Sequence, residues 1–190
     1  MNAHMSPSQA LAGLRPGPCP VISTRRLVLR PHRTGDADMI AASLSDYHVS
    51  AKLARVPVPY HRQDALDWLK GQTSRPDWTL AMTMGDDVHI GCVGLELRHG
   101  LWNTGYWLNR AYWGKGIMTE AVGAALEQFF AKMPEMTVHS GVFADNAASL
   151  AVQTKLGFRV TGCSEIYALA RNEMVTHIET TITAGDLRQS

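Results

Sequence analysis

The spacing of apolar side chains changes several times along this chain, and each change marks an element. Arg26-Leu27-Val28-Leu29-Arg30 is short, alternating and rich in β-formers, which predicts a first strand closed by Pro31. Asp36 stands where the N-cap of a helix carrying Met39, Ile40, Ala42 and Leu44 is expected. Tyr47 to His61 contains Pro57 and Pro59 and reads as a stretch that includes a loop. Ala65, Leu66 and Leu69 share one face of a second helix over residues 62–72, with Gly71 near its end. The period then shortens. Residues 78–84, 88–97 and 104–109 read as three strands joined by turns at Gly85-Asp86-Asp87 and His99-Gly100, an antiparallel meander. Met118, Val122, Ala125, Phe129 and Met133 then line one face of a helix starting at Ile117. A fifth strand follows at 137–143, a helix from Asn146 to Leu156 stops at Gly157, and 158–170 with 174–183 form a closing hairpin.

This order defines a mixed α/β fold: a mixed, mostly antiparallel sheet of about seven strands flanked by about four helices. The helix after the fourth strand is a crossover, so the fourth and fifth strands are expected to run parallel. No repeat or low-complexity stretch interrupts residues 22–190, which read as one domain. Residues 1–21 are rich in Pro, Gly and Ala without a sustained period. They are set apart as a disordered or tag-like segment, with Met5 a candidate native start after a four-residue scar.

Charge narrows the function. The net charge of +1 argues against a large nucleic-acid surface. No apolar run approaches a membrane span. Cys19, Cys92 and Cys163 are widely spaced and odd in number, which suits reduced thiols in a cytoplasmic protein, and no Cys/His cluster has metal-ligand spacing.

The stretch with the most chemistry is Tyr112-Trp113-Gly114-Lys115-Gly116-Ile117-Met118-Thr119-Glu120-Ala121. Two glycines lead into a helix N-terminus, whose first N–H groups lack partners within the helix. Such a turn either starts a helix and nothing more, or seats an anion, most often a phosphate. Thr119 stands where a dinucleotide loop needs its third glycine, and Asn109 and Gly116 break the P-loop pattern.

Taken together the motifs resemble the GNAT acetyltransferase superfamily, and within it the RimJ/RimL-like branch that acetylates protein N-termini. The carriers are Thr24-Arg25-Arg26-Leu27-Val28-Leu29-Arg30-Pro31, Gly105-Tyr106-Trp107-Leu108, the glycine turn with Thr119-Glu120-Ala121, Asn146-Ala147-Ala148-Ser149, and Lys155-Leu156-Gly157-Phe158. The resemblance covers about residues 22–185. It departs from the family pattern at Ala111, where Gln or Arg is usual, and around Val152, Gln153 and Thr154, where many members carry a catalytic Tyr.

The resemblance implies acetyl-CoA as co-substrate and no metal. Gly114, Lys115, Gly116, Ile117, Met118 and Thr119 would hold its pyrophosphate, and the backbone near Trp107 and Leu108 would pair with the pantetheine arm. A bulge in the fourth strand would splay it from the fifth. The Leu108 N–H would donate to the thioester oxygen, and Ser149 would protonate the departing thiolate. Asn146 would cap its helix and touch the pantetheine. Each role has a plainer counterpart: Ser149 as a helix-start hydroxyl, Tyr106 as core, Lys115 as an exposed loop residue. Glu96 is the preferred general base, against an ordinary outward-facing strand residue, with His99 and His139 as lesser candidates. The acceptor would bind near His48, Lys52, Arg55, His61 and Arg62.

The function expected is an acetyl-CoA-dependent N-acetyltransferase. Its acceptor is a primary amine, on a protein N-terminus or a small molecule, and a homodimer is a family-level expectation. The alternative is a non-catalytic acyl-CoA sensor on the same fold, which the missing helical Tyr keeps open.

Overall fold

The computed structural model describes residues 15–72 and 77–188. Eight strands form one sheet: β1 (Ile22–Ser23), β2 (Val28–Pro31), β3 (Trp78–Met84), β4 (Val88–Arg98), β5 (Leu101–Leu108), β6 (Thr137–Phe143), β7 (Arg159–Ala168) and β8 (Glu173–Thr183). Their spatial order is β1-β2-β3-β4-β5-β6-β8-β7. The helices are α1 (Ala37–Leu44), α2 (Tyr47–Ser50), α3 (Arg62–Gln72), α4 (Ile117–Lys132) and α5 (Ala147–Leu156). β1 is the strand beyond the seven expected, so the expected fourth and fifth strands are β5 and β6. They are parallel, as a crossover through α4 requires.

Two apolar clusters cover the sheet. The larger packs α4, through Met118, Val122, Ala125 and Phe129, against Trp78, Leu80, Met82, Val93 and Leu95. The smaller joins α1 and α3 through Ile40, Leu44, Ala65 and Leu69. Strand alternation divides β5 between them, with Tyr106 and Leu108 facing the first and Trp107 the second.

Several local readings change in three dimensions. The segment set apart as 1–21 joins the packed structure at its end: the Gly17 carbonyl accepts from Trp78 Nε1 at 2.9 Å, and Cys19 packs on the main cluster. Residues 1–14 lie outside the described ones. Met39, expected to face inward, is 39% exposed, and Ala37, Ile40 and Ala41 take the buried face of α1. Asp36 precedes α1 but makes no side-chain cap to it. Its carboxylate instead takes two hydrogen bonds from Arg30, at 2.8 and 2.9 Å, and one from the Arg33 N–H at 2.8 Å. Within the expected loop, Asp46 caps the short α2 by accepting from the His48 N–H.

Candidate active site

β5 and β6 pair only at Trp102–Val138 and Asn103–His139, then diverge. β5 keeps unbroken register with β4 up to Leu108, so the opening comes from its divergence from β6 and not from a shift in the β4–β5 pairing, where a bulge was expected. Between the diverging strands lies a cavity of about 1420 Å³ that runs from Glu96 and His139 to the glycine turn.

Backbone geometry decides what faces this slot. The Asn109 N–H donates to the Ile90 carbonyl at 2.8 Å. Hydrogen-bonded and non-bonded pairs alternate in an antiparallel ladder. Leu108 and Tyr106, opposite Gly91 and Val93, therefore turn their N–H and C=O groups away from β4 toward the slot. Thr104 follows the same parity, and its carbonyl accepts from Ser140 Oγ of β6 at 3.0 Å. Trp107 has the opposite parity, so its backbone serves β4 and only its side chain lines the slot. Of the backbone near Trp107 and Leu108 expected to meet a ligand, the groups of Leu108 are therefore the ones turned away from β4.

At the far end the glycine turn meets α4. Gly114 (φ 75°) and Gly116 (φ 69°) adopt the left-handed conformation that a side chain disfavours. Ile117 and Met118 bury their side chains in the core and offer only backbone to the slot. The first N–H groups of α4 thus point at one open seat, the arrangement that favours an anion. Lys115 Nζ folds back onto the Ala111 carbonyl at 3.0 Å and lies 5.6 Å from the Tyr112 ring centre. Trp113 Nε1 donates to the Leu108 carbonyl at 2.8 Å and ties the turn to the end of β5.

At the start of α5, the Asn146 side chain accepts from the Ser149 N–H at 3.2 Å, the capping role read from the sequence. Ser149 Oγ lies 2.9 Å from Tyr106 Oη. Burial pushes the Tyr106 phenol up, outweighing its bonds to Ser149 and Gln153, so it stays protonated at neutral pH. A phenol from β5 thus stands at the start of α5, although the helix itself carries none. Local pattern could not reveal this, because the partners are 43 residues apart. Gln153, one of the three residues near the place where the family often has Tyr, is buried; it donates to Ser140 Oγ at 3.0 Å and accepts from Thr180 Oγ1 at 2.8 Å.

Glu96 reaches the slot, but Arg98 donates to its Oε2 through Nε at 2.8 Å and Nη2 at 2.5 Å, and Arg55 lies 4.0 Å away. Oε1 turns toward Gly94 on the slot floor. His139 also lines the slot, whereas His99 sits at the β4–β5 turn with φ 50° and is not among the lining residues. A histidine that the sequence reading passed over, His177, lines the slot with its ring over Gly141. Burial lowers its pKa against the pull of Glu179, leaving the ring neutral at pH 7. Of the expected acceptor rim only Lys52 and Arg55 reach the slot. Lys52 and Arg171 both bind Asp145, closing the rim between the α2–α3 loop and the β7–β8 turn. Arg62 instead pairs with Asp38, and His48 with Asp46.

A second polar cluster lies outside the slot. Ligand atoms of His32, Asp36 and His89 fall within 4.8 Å of one another, a donor set that could suit a metal ion. Arg30, however, already occupies both Asp36 oxygens and places its positive charge there. The cluster fits a buried ion pair beside two neutral imidazoles better than a cation site.

A splayed parallel strand pair, strand N–H groups turned away from β4 and a helix N-terminus at one end form a slot whose shape suits an extended ligand with an anionic tail. The Acetyltransferase (GNAT) domain family matches residues 26–159, and the chain belongs to that family and is an acyltransferase. It is similar to the Bacillus licheniformis protein described as uncharacterized N-acetyltransferase p20, at 27% identity over 162 residues, spanning 80% of this chain and 89% of the relative. Mycobacterium smegmatis RimJ in complex with CoA-disulfide shares the fold with a TM-score of 0.76, 22% identity and 90% of each chain covered. So does the ribosomal-protein-S5-alanine acetyltransferase of Vibrio fischeri, with a TM-score of 0.75, 19% identity and coverage of 90% of this chain and 100% of that one. Among the described residues no helix is long and apolar enough to cross a membrane.

Proposed function

We propose that this protein transfers the acetyl group of acetyl-CoA to a primary amine by direct attack, in the manner of the RimJ/RimL-like branch. The observation that carries the reading is the run of outward-turned backbone at Tyr106 and Leu108, leading to the left-handed glycines 114 and 116. A pantetheine arm would add to β5 as an extra strand does, and the N–H groups from Gly114 to Thr119 would hold the diphosphate. The CoA-disulfide bound by RimJ supports this choice of ligand.

The chemistry follows from what lines the slot. The Leu108 N–H donates to the thioester oxygen, where negative charge develops as the amine attacks. Glu96, through Oε1, takes a proton from the acceptor ammonium, directly or through water. Ser149, held in place by the Tyr106 phenol, gives its proton to the departing sulfur, and the second proton lost by the attacking nitrogen returns to Ser149 through water. The acceptor enters past Lys52, Arg55 and Asp145. The ribosomal-protein acetyltransferase of the same fold favours a protein N-terminus over a small amine. The free thiols at Cys19, Cys92 and Cys163 fit a reducing, cytoplasmic setting.

The test is thiol release from acetyl-CoA in the presence of an amine panel: peptides with free N-termini, amino acids, polyamines and aminoglycosides. Release with peptides is expected. Binding of acetyl-CoA without turnover across the whole panel would instead make the protein an acyl-CoA sensor. Absence of acetyl-CoA binding would overturn both readings.

A further inference from the structure

We infer that Arg26, behind the glycine turn, is a positioning residue for the diphosphate of CoA, acting with Glu120 as a clamp that orients the turn and neutralises the carboxylate beside it. The inference rests on the acetyl-CoA reading above. It accounts for the Thr24-Arg25-Arg26 motif, which the slot itself leaves without a role.

The geometry is specific. Arg26 Nη1 donates to the Lys115 carbonyl at 2.8 Å, and Nε donates to Glu120 Oε2 at 2.6 Å. Glu120 Oε1 accepts from Thr24 Oγ1 at 2.7 Å and from the Arg26 N–H at 3.0 Å. One carboxylate in the first turn of α4 therefore holds the β1–β2 turn, and the arginine from that turn grips the glycine loop. Arg25, its neighbour, is exposed. Arg26 does not line the slot.

Two consequences follow for an anion at the seat. The peptide between Lys115 and Gly116 is planar and trans, so its C=O and N–H point in opposite directions. Pinning the Lys115 carbonyl toward Arg26 turns the Gly116 N–H away from Arg26, to the other side of the loop. The second consequence is electrostatic. Glu120 suits the helix dipole but carries negative charge in the same turn that would hold a phosphate. The guanidinium 2.6 Å away cancels that repulsion without entering the seat.

The test is calorimetric titration of CoA into wild-type protein, Arg26→Ala, Arg26→Lys, Glu120→Gln and the double variant Arg26→Ala/Glu120→Gln, each checked for a cooperative melt. Arg26→Ala should raise the Kd for CoA about tenfold, the scale of one charge-assisted hydrogen bond. Glu120→Gln placed on Arg26→Ala should recover part of that loss, about threefold, because the stranded charge is gone while the pin on the Lys115 carbonyl is still missing. Arg26→Lys, which keeps charge but cannot grip both partners, should fall between the two and stands in if Arg26→Ala does not fold. An Arg26 variant that folds and binds CoA as tightly as wild type overturns the clamp. A double variant that binds CoA no more tightly than Arg26→Ala overturns the electrostatic half and leaves a purely structural bond. Wild-type protein that binds no CoA defeats the acyl-CoA reading itself, and the clamp with it.

Discussion

Tyr106 Oη stands 2.9 Å from Ser149 Oγ, joining the middle of β5 to the first turn of α5 across the slot. The two hydroxyls share one proton position, and the phenol, held protonated by burial, is the better donor. That leaves the Ser149 proton free to point at a leaving sulfur. Ser149→Ala should lower kcat on the order of a hundredfold, the low end for a positioned general acid. Tyr106→Phe should lower it less, by about threefold to tenfold, since it removes orientation and not the donor. Steady-state thiol release reads both. A serine variant with wild-type turnover would take Ser149 out of the chemistry.

Glu96 has one oxygen claimed by Arg98 and the other turned to the slot floor. Glu96→Gln keeps the shape and removes the proton acceptor. Its kcat/KM for the amine should fall on the order of a hundredfold, while CoA affinity, set at the other end of the slot, stays unchanged. If the loss instead appeared as weaker CoA binding, Glu96 would be a structural partner of Arg98 and not the base.

Gly157 ends α5 with φ 99°, and its N–H and that of Phe158 cap the carbonyls of Thr154 and Gln153. An added Cβ would come to 2.1 Å from the Asp186 carbonyl oxygen. Gly157→Ala combines left-handed strain with a backbone clash and should cost roughly 1–3 kcal/mol. For a chain of this size that lowers Tm by about 2–4 °C per kcal/mol. A thermal melt at the wild-type value would show that residues 184–188 move aside without cost.

His89 is 2% exposed, and neither ring nitrogen has a hydrogen-bond partner. Burial, then the neighbouring His32 and to a lesser degree Arg30, push its pKa from 6.5 to about 4 against the pull of Asp36, and burial lowers His32 as well. The sign follows directly. Both rings are neutral in the folded state, whereas the unfolded chain takes up protons below pH 6.5. Stability is therefore full above pH 6.5 and falls as pH drops from 6.5 toward 4. The slope is about 1.4 kcal/mol per pH unit for each proton taken up. Asp36 stays ionised throughout that window, because the hydrogen bonds from Arg30 and the Arg33 N–H, with the nearby His32, outweigh its burial. Denaturant titrations at pH 7, 6 and 5 should show the loss, and His89→Leu should flatten the curve. A pH-independent midpoint across that range would mean that water reaches the imidazoles.

Much of this molecule is legible in local pattern. Alternation placed β3, β4 and β6, the four-residue rhythm of Met118 to Phe129 placed α4, and Gly157 marked the end of α5, because these signals depend on neighbours a few residues away. The glycine turn showed itself as a backbone device for the same reason. What lay beyond reach were partners far apart in the chain. Met39 and Ile40 look alike in sequence, and only packing against α3 decides which one is buried. Glu96 carries no local mark of Arg55, which comes to 4.0 Å from its carboxylate, nor Glu120 of its bond to Arg26, 94 residues earlier. Tyr106 reads as an ordinary strand aromatic until α5 brings Ser149 to its hydroxyl. By itself the sequence determined most of the elements, the parallel crossover and the glycine turn ahead of α4, since each follows from short-range backbone preference. The tertiary structure alone decided which oxygen of Glu96 its arginines leave to the slot, which phenol meets the serine and which N–H groups turn away from β4, because those depend on strand register and on groups meeting across the sheet.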